Sequence, residues 1–168
     1  VHKVSKKITE LVQDLLDTMY AKNGVGLAAP QIGENVRVFV IDVSTNKEPL
    51  NPMVFINPKI IKKSGAIKSN EGCLSFPEAY TDVRRYKNVM VKALNEHGKS
   101  FVMEAKDGTL LARAIQHEND HLDGVLFIDH CMNRFETESI LKKHNLPDLD
   151  VDRLIEEEDL KKELGEND

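Results

Sequence analysis

Two histidines four residues apart, with a glutamate beside the first, constrain this chain more than anything else in it: His117-Glu118-Asn119-Asp120-His121. On a helix, residues four apart share a face, one turn above the other. Two imidazoles so placed can grip one metal ion, and Glu118 lies beside them as a general base. That is the H-E-x-x-H arrangement of metal-dependent hydrolases. Only three residues of the pattern are fixed. A second reading therefore stays open, in which the two histidines are surface or hydrogen-bonded core residues of an amphipathic helix.

The flanks predict that helix. Asp107 is the expected N-cap, with Gly108 and Thr109 opening the first turn. Leu110, Leu111, Ala114, Ile115 and Leu122 form an apolar stripe, and Gly124 is a C-terminal stop. The helix is expected over 108–122. His117 neighbours the stripe, so a bound ion would sit inside the fold.

Around this helix the chain alternates between helical and strand-like patterns. Val4, Ile8, Leu11, Val12, Leu15, Leu16 and Met19 follow helical spacing, with Gly24 beyond the end. The segment Gly24-Val25-Gly26-Leu27-Ala28-Ala29-Pro30-Gln31-Ile32-Gly33 is small and allows close approach of backbone or ligand. It lacks the Gly-Lys-Ser/Thr ending of a phosphate loop. Val36 to Val43 and Met53 to Asn57 read as strands, joined by a polar connection at 44–52. Lys87 to Leu94 and Lys99 to Ala105 read as a hairpin turning at Asn95-Glu96-His97-Gly98. Val125 to Ile128 reads as a short strand and Glu136 to His144 as a helix before Pro147. Residues 148–168 are charged and mostly acidic, expected as a solvated helix or tail.

Bulk properties remove several classes. With 168 residues the chain suits one domain with a sizeable core. A net charge of −5 argues against a broad nucleic-acid-binding surface. No apolar run is long enough for a transmembrane helix, and the charged start does not read as a signal peptide. Cys73 and Cys131 are then expected as reduced thiols in the cytoplasm.

A catalytic metal usually has three protein ligands and one open position. Downstream of the histidines, Asp129, His130, Cys131 and Glu136 are candidates for the third, without an extended zincin signature. Upstream stands Cys73, in Glu71-Gly72-Cys73-Leu74-Ser75. Spacing alone does not choose among them. A blue-copper site would also use two His and one Cys, but it has no use for the glutamate. A closed structural zinc site would want a fourth protein ligand.

Three blocks occur in order: Gly24-Val25-Gly26-Leu27-Ala28-Ala29-Pro30-Gln31, Glu71-Gly72-Cys73-Leu74-Ser75 and Gln116-His117-Glu118-Asn119-Asp120-His121. Together they resemble the peptide deformylases, enzymes that remove the formyl group from nascent N-formylmethionyl peptides. The resemblance spans nearly the whole chain. It implies an α+β fold with mixed or antiparallel sheets packed around the central motif helix, an N-terminal helix and a C-terminal helix. It implies one catalytic domain over 1–147, with the acidic segment 148–168 beyond it. Cys73, His117 and His121 become the metal ligands, with iron(II) expected natively and zinc, nickel or cobalt in purified protein. Glu118 becomes the base, and the Gln31 side chain and Leu74 backbone N–H the oxyanion donors.

The same resemblance places a methionine-sized pocket at Gly24, Val25, Gly26, Glu71, Gly72, Arg113, Ala114 and His117. Small residues at Gly26 and Gly72 would leave room for an extended peptide. Arg113 is a candidate partner for Glu71, and Arg85 a support for the Glu71 segment. The family's first strand, with its Asp/Pro-rich turn and Leu-Arg, is expected to be absent. The acidic 148–168 segment would be repelled by ribosomal RNA, so any ribosome proximity would not run through it. Two other functions compete: a general zinc metalloprotease with a downstream ligand, and a non-enzymatic metal-binding module.

Overall fold

The structure, a computed structural model, describes residues 1–147. The segment 148–168 therefore lies outside the described residues. In chain order the elements are α1 (Lys6–Ala21), β1 (Gly26–Ala28), a 3-10 turn (Ala29–Ile32), β2 (Val38–Ile41), β3 (Met53–Cys73), β4 (Phe76–Leu94) and β5 (Ser100–Ala105). They are followed by α2 (Leu110–Asp123), a second 3-10 turn (Phe127–His130) and α3 (Arg134–Lys143). The five strands form one sheet in sequence order. Each neighbouring pair is antiparallel, so no parallel pair mixes into it.

The strand β2 explains how two helices share one short sheet. Val38, Phe39, Val40 and Ile41 are all fully buried. Side chains alternate faces along a strand. Val38 and Val40 pack with Ile8, Leu11, Leu15 and Met19 of α1. Phe39 and Ile41 pack on the other face with Phe55, Val91, Ala112 and Ile115, which bring α2 in. Phe39 and Phe55 stack with ring centroids 4.7 Å apart. A third cluster of Phe76, Val83, Phe127, Ile128 and Leu141 ties α3 to β4.

Several expected boundaries move. β3 runs on from Asn57 to Cys73, and β4 begins at Phe76 rather than near Lys87. The added rungs carry Lys59, Lys62, Lys63 and Lys68, all exposed, so no apolar alternation marks them. Register shifts between Ile56 and Lys59 and between Ile60 and Lys62 further break the period. The expected strand at Val125–Ile128 is a 3-10 turn. The Asp129 carboxylate accepts from Leu126 N–H at 2.7 Å and closes that turn locally. Phe127 and Ile128 face the third core cluster instead of a ladder.

The motif helix begins later than expected. Asp107 and Gly108 both hold left-handed φ, 58° and 62°, and turn the chain out of β5. Thr109 is the N-cap, its hydroxyl accepting from Ala112 N–H. Gly124 closes the helix in the left-handed conformation, φ 73°.

Glu78 adopts φ 62°, whereas the other non-glycine residues with positive φ among the described residues are Asn or Asp. A glutamate there pays Cβ strain that glycine avoids. Glu78→Gly is expected to stabilise the fold by about 1 kcal/mol, read from denaturant unfolding. A loss of stability would contradict the strain argument.

Candidate functional site

Two pieces of chain meet at the site. α2 presents His117 and His121 on one face, with Glu118 beside them. The tip of the β3–β4 hairpin brings Cys73 next to them, followed by the two-residue link Leu74-Ser75. Cys73 Sγ lies 3.2 Å from His121 Nε2. One ligand atom from each of Cys73, His117 and His121 falls within 4.8 Å of the others. Ligand bonds to a tetrahedral ion place such atoms about 3.5 Å apart, so the cluster fits a single cation with modest closure.

The charge state of the cluster fits a cation too. Burial pushes the Cys73 thiol up, but hydrogen bonds with His117 and His121 bring it down to about 5. Burial pulls His117 down, while its bonds to Cys73 and Glu71 lift it to about 10. A cation bound there would compete with the His117 proton for the same thiolate. Burial raises the Glu118 carboxyl to about 7, with His117 and His121 holding it back. Glu118 Oε2 is buried with no hydrogen-bond partner among the described residues. An oxygen so placed is reserved for something the protein itself does not supply.

Gln31 reaches the same spot from the 3-10 turn after β1. Its Oε1 accepts from Ala28 N–H at 2.9 Å, which orients the amide. Its Nε2 then points to Cys73 Sγ at 3.6 Å and Ser75 Oγ at 3.0 Å. Leu74, at the hairpin tip, is partly exposed on the rim.

A cleft of about 790 Å³ opens over this cluster. Gly24, Val25, Gly26, Gln31, Glu71, Gly72, Cys73, Leu74, Arg113, Ala114, His117 and Glu118 all line it, together with Leu110 and Tyr80. The space at two glycines is nevertheless already taken. A Cβ on Gly26 would stand 2.4 Å from Glu118 Oε1, and one on Gly72 would stand 2.6 Å from Tyr80 Cε1. Gly26 makes room for the Glu118 carboxylate, and Gly72 makes room for Tyr80.

Behind the Cys73, His117 and His121 cluster lies a buried ionic chain. His117 Nδ1 donates to Glu71 Oε2 at 3.1 Å, leaving Nε2 for a metal. Arg85 holds Glu71 through Nε at 3.1 Å and Nη2 at 3.0 Å. Burial pushes the Glu71 carboxyl up, yet Arg85 and His117 hold it down at about 2. Arg85 Nη1 also donates to Asp120, which accepts from His130 Nε2 at 3.0 Å. Arg85 is therefore the partner of Glu71. Arg113, the other candidate, donates its Nε to Gly108 O at 3.2 Å instead. With its carboxylate committed this way, Glu71 is a support of His117 more than a wall of the cleft.

The downstream candidates for the third ligand are all occupied elsewhere. His130 bonds Asp120, Asp129 caps Leu126, and Cys131 and Glu136 both meet Thr81. Sequence reading gives no role to Asp120 or Gln116, and it offers His130 as a ligand candidate where the structure makes it a partner of Asp120. Gln116 accepts from Tyr86 N–H at 2.8 Å and donates to Tyr86 O at 2.9 Å, bolting α2 to β4. A buried glutamine inside the third block was the one available signal for it.

Known proteins carry the same arrangement of chain. The sequence model of the family described as polypeptide deformylase matches residues 1–137. The peptide deformylase of Baumannia cicadellinicola subsp. Homalodisca coagulata is 49% identical over 143 residues, covering 85% of this chain and 83% of the relative. Peptide deformylase 1 of Clostridium perfringens is 48% identical over 130 residues, 77% of this chain and 85% of that one. Among solved structures, a peptide deformylase from Synechococcus elongatus in complex with actinonin superposes with a TM-score of 0.79 at 40% identity. That match covers 91% of this chain and 81% of that chain. A Legionella pneumophila peptide deformylase gives 0.78 at 40% identity, covering 86% and 83%. The chain belongs to the polypeptide deformylase family.

Proposed function

We propose that this chain is a metal-dependent hydrolase that removes the formyl group from the N-terminal formylmethionine of nascent polypeptides, releasing formate. The observation that carries the reading is the convergence of Cys73, His117 and His121 at metal-binding distance, with Glu118 and Gln31 beside them. An amide carbonyl is a poor electrophile and water a poor nucleophile at neutral pH. A divalent cation supplies Lewis acidity to both when bound.

The protein's own groups do the rest. Glu118 accepts the proton of the attacking water and returns it to the departing amine nitrogen, which leaves badly unless protonated. Gln31 Nε2 and the Leu74 backbone N–H are the proposed donors to the oxyanion that develops on the formyl oxygen. Val25 and Ala114 offer apolar wall for the methionine side chain, and an extended peptide backbone would lie along the cleft. Gln31→Ala is expected to lower kcat about a hundredfold with metal content unchanged. An unaltered kcat would remove Gln31 from the oxyanion role.

We infer iron(II) as the native metal from the resemblance to the family; beside the oxidisable Cys73 thiolate it would be sensitive to oxygen. Zinc, nickel or cobalt would enter in purified protein. The domain proposed to act is residues 1–147, working in the cytoplasm on formylated nascent chains near ribosomes. No helix among the described residues is long and apolar enough to cross a membrane.

The deciding experiment is formate release from formyl-Met-Ala-Ser. Anaerobically prepared, iron-loaded protein should be active, lose activity in air, and keep it when loaded with nickel. Casein should remain uncut. Cleavage of casein without formate release would favour the metalloprotease reading, and full stable activity with zinc alone would remove the iron assignment.

A further inference from the structure

The 3-10 turn Phe127–His130 touches the site twice. The Phe127 ring lies 6.0 Å from the His117 ring, centroid to centroid. At the other end of the turn, His130 Nε2 bonds Asp120 Oδ2 at 3.0 Å. That same oxygen accepts from Arg85 Nη1. Asp120 Oδ2 is thus pinned between two donors from different elements, one on β4 and one on the turn.

Arg85 carries this pinning inward. Its guanidinium is planar and its donors are fixed relative to one another. The direction of Nη1 therefore sets the directions of Nε and Nη2, which hold both oxygens of Glu71. Glu71 Oε2 in turn accepts from His117 Nδ1–H at 3.1 Å. A ring held at Nδ1 has its Nε2 aimed. Arg85 and His130 are both buried, so little water is at hand to replace a lost donor.

We propose that His130 is a positioning residue for the metal centre: through Asp120, Arg85 and Glu71 it fixes the ring of His117 and so slows metal loss. This rests on the reading of Cys73, His117 and His121 as a metal site. His130 itself touches neither the ligands nor the cleft, so its effect falls on metal retention before it falls on chemistry.

The test is zinc release from the zinc-loaded full chain into excess chromogenic chelator. His130→Leu fills the space without a donor, His130→Asn is polar but too short to reach Asp120, and His130→Gln reaches with an N–H. Leu and Asn should release zinc about tenfold faster than the parent, and Gln should stay close to it. Parental release from Leu or Asn overturns the proposal. Equally fast release from Gln also overturns it, by showing that bulk rather than the donor matters. Should Leu fail to fold, the Asn and Gln pair decides alone. A parent protein that takes up no zinc would overturn the metal-site reading itself, and this inference with it.

Discussion

Glu118→Gln should lower formate release about a thousandfold while the protein keeps its metal. The amide has nearly the shape of the carboxylate and adds no atom where Gly26 has cleared space. A Cβ at that glycine would already collide with Glu118 Oε1 at 2.4 Å. What the substitution removes is the capacity to take a proton. Glu118 is buried, and its Oε2 has no partner among the described residues, so no structural bond is broken with it. The check is single-turnover formate release beside metal analysis of the same sample. A drop of less than about tenfold would deny Glu118 the role of base. A silent substitution would favour a binding module over an enzyme.

Arg85→Leu should cost about 3–5 kcal/mol of folding stability. Arg85 is buried between two carboxylates, Glu71 and Asp120. Leucine leaves both without their cation in a setting where water cannot reach easily. The pH dependence has a definite sign. Burial opposes ionisation of Glu71, but Arg85 and His117 overcome it and hold the carboxyl at about 2, below its ordinary 4.5. Its contribution is therefore present above about 4.5 and is lost as pH falls toward 2. Urea unfolding of parent and variant between neutral pH and acid should show their stabilities converging as pH falls. A neutral-pH loss under about 1 kcal/mol would mean that the pair contributes no more than a surface bridge.

The parts of the molecule that were legible in the sequence are those where one residue type has one job. The α2 helix was visible because its buried stripe is periodic and Gly124 supplies the left-handed stop. The β4–β5 hairpin was visible because Asn95 and Gly98 are turn chemistry: Asn95 Oδ1 accepts from His97 and Lys99 N–H. The outer half of β3 was not visible. Its lysines face water, and shifted register removes the alternation that marks a strand. The 3-10 turn at Phe127 reads as a strand because Phe127 and Ile128 suit any buried surface.

At the site, the candidate ligands and the proposed base stand out through chemistry, but their supports do not. That Arg85 serves Glu71 depends on where β4 lies against β3, since a one-residue slip would turn Arg85 to the other face of the sheet. Asp120 occupies a position the motif leaves open, and its role exists only because Arg85 and His130 arrive there from other elements. The family resemblance named Cys73 as a ligand. The downstream alternatives were removed only by seeing what Asp129, His130, Cys131 and Glu136 already hold.

The hairpin tip that carries Cys73 has a consequence for the unfolded chain. Cys73 and His121 are 48 residues apart in sequence. An ion held by both would tie the chain into a ring of that length. By the chain-entropy estimate for cross-links, a loop of this size restricts the unfolded ensemble by about 4 kcal/mol. The centre that activates water would then also be the stitch joining the outer hairpin to the helix. Occupancy of the site and survival of the fold would rise and fall together.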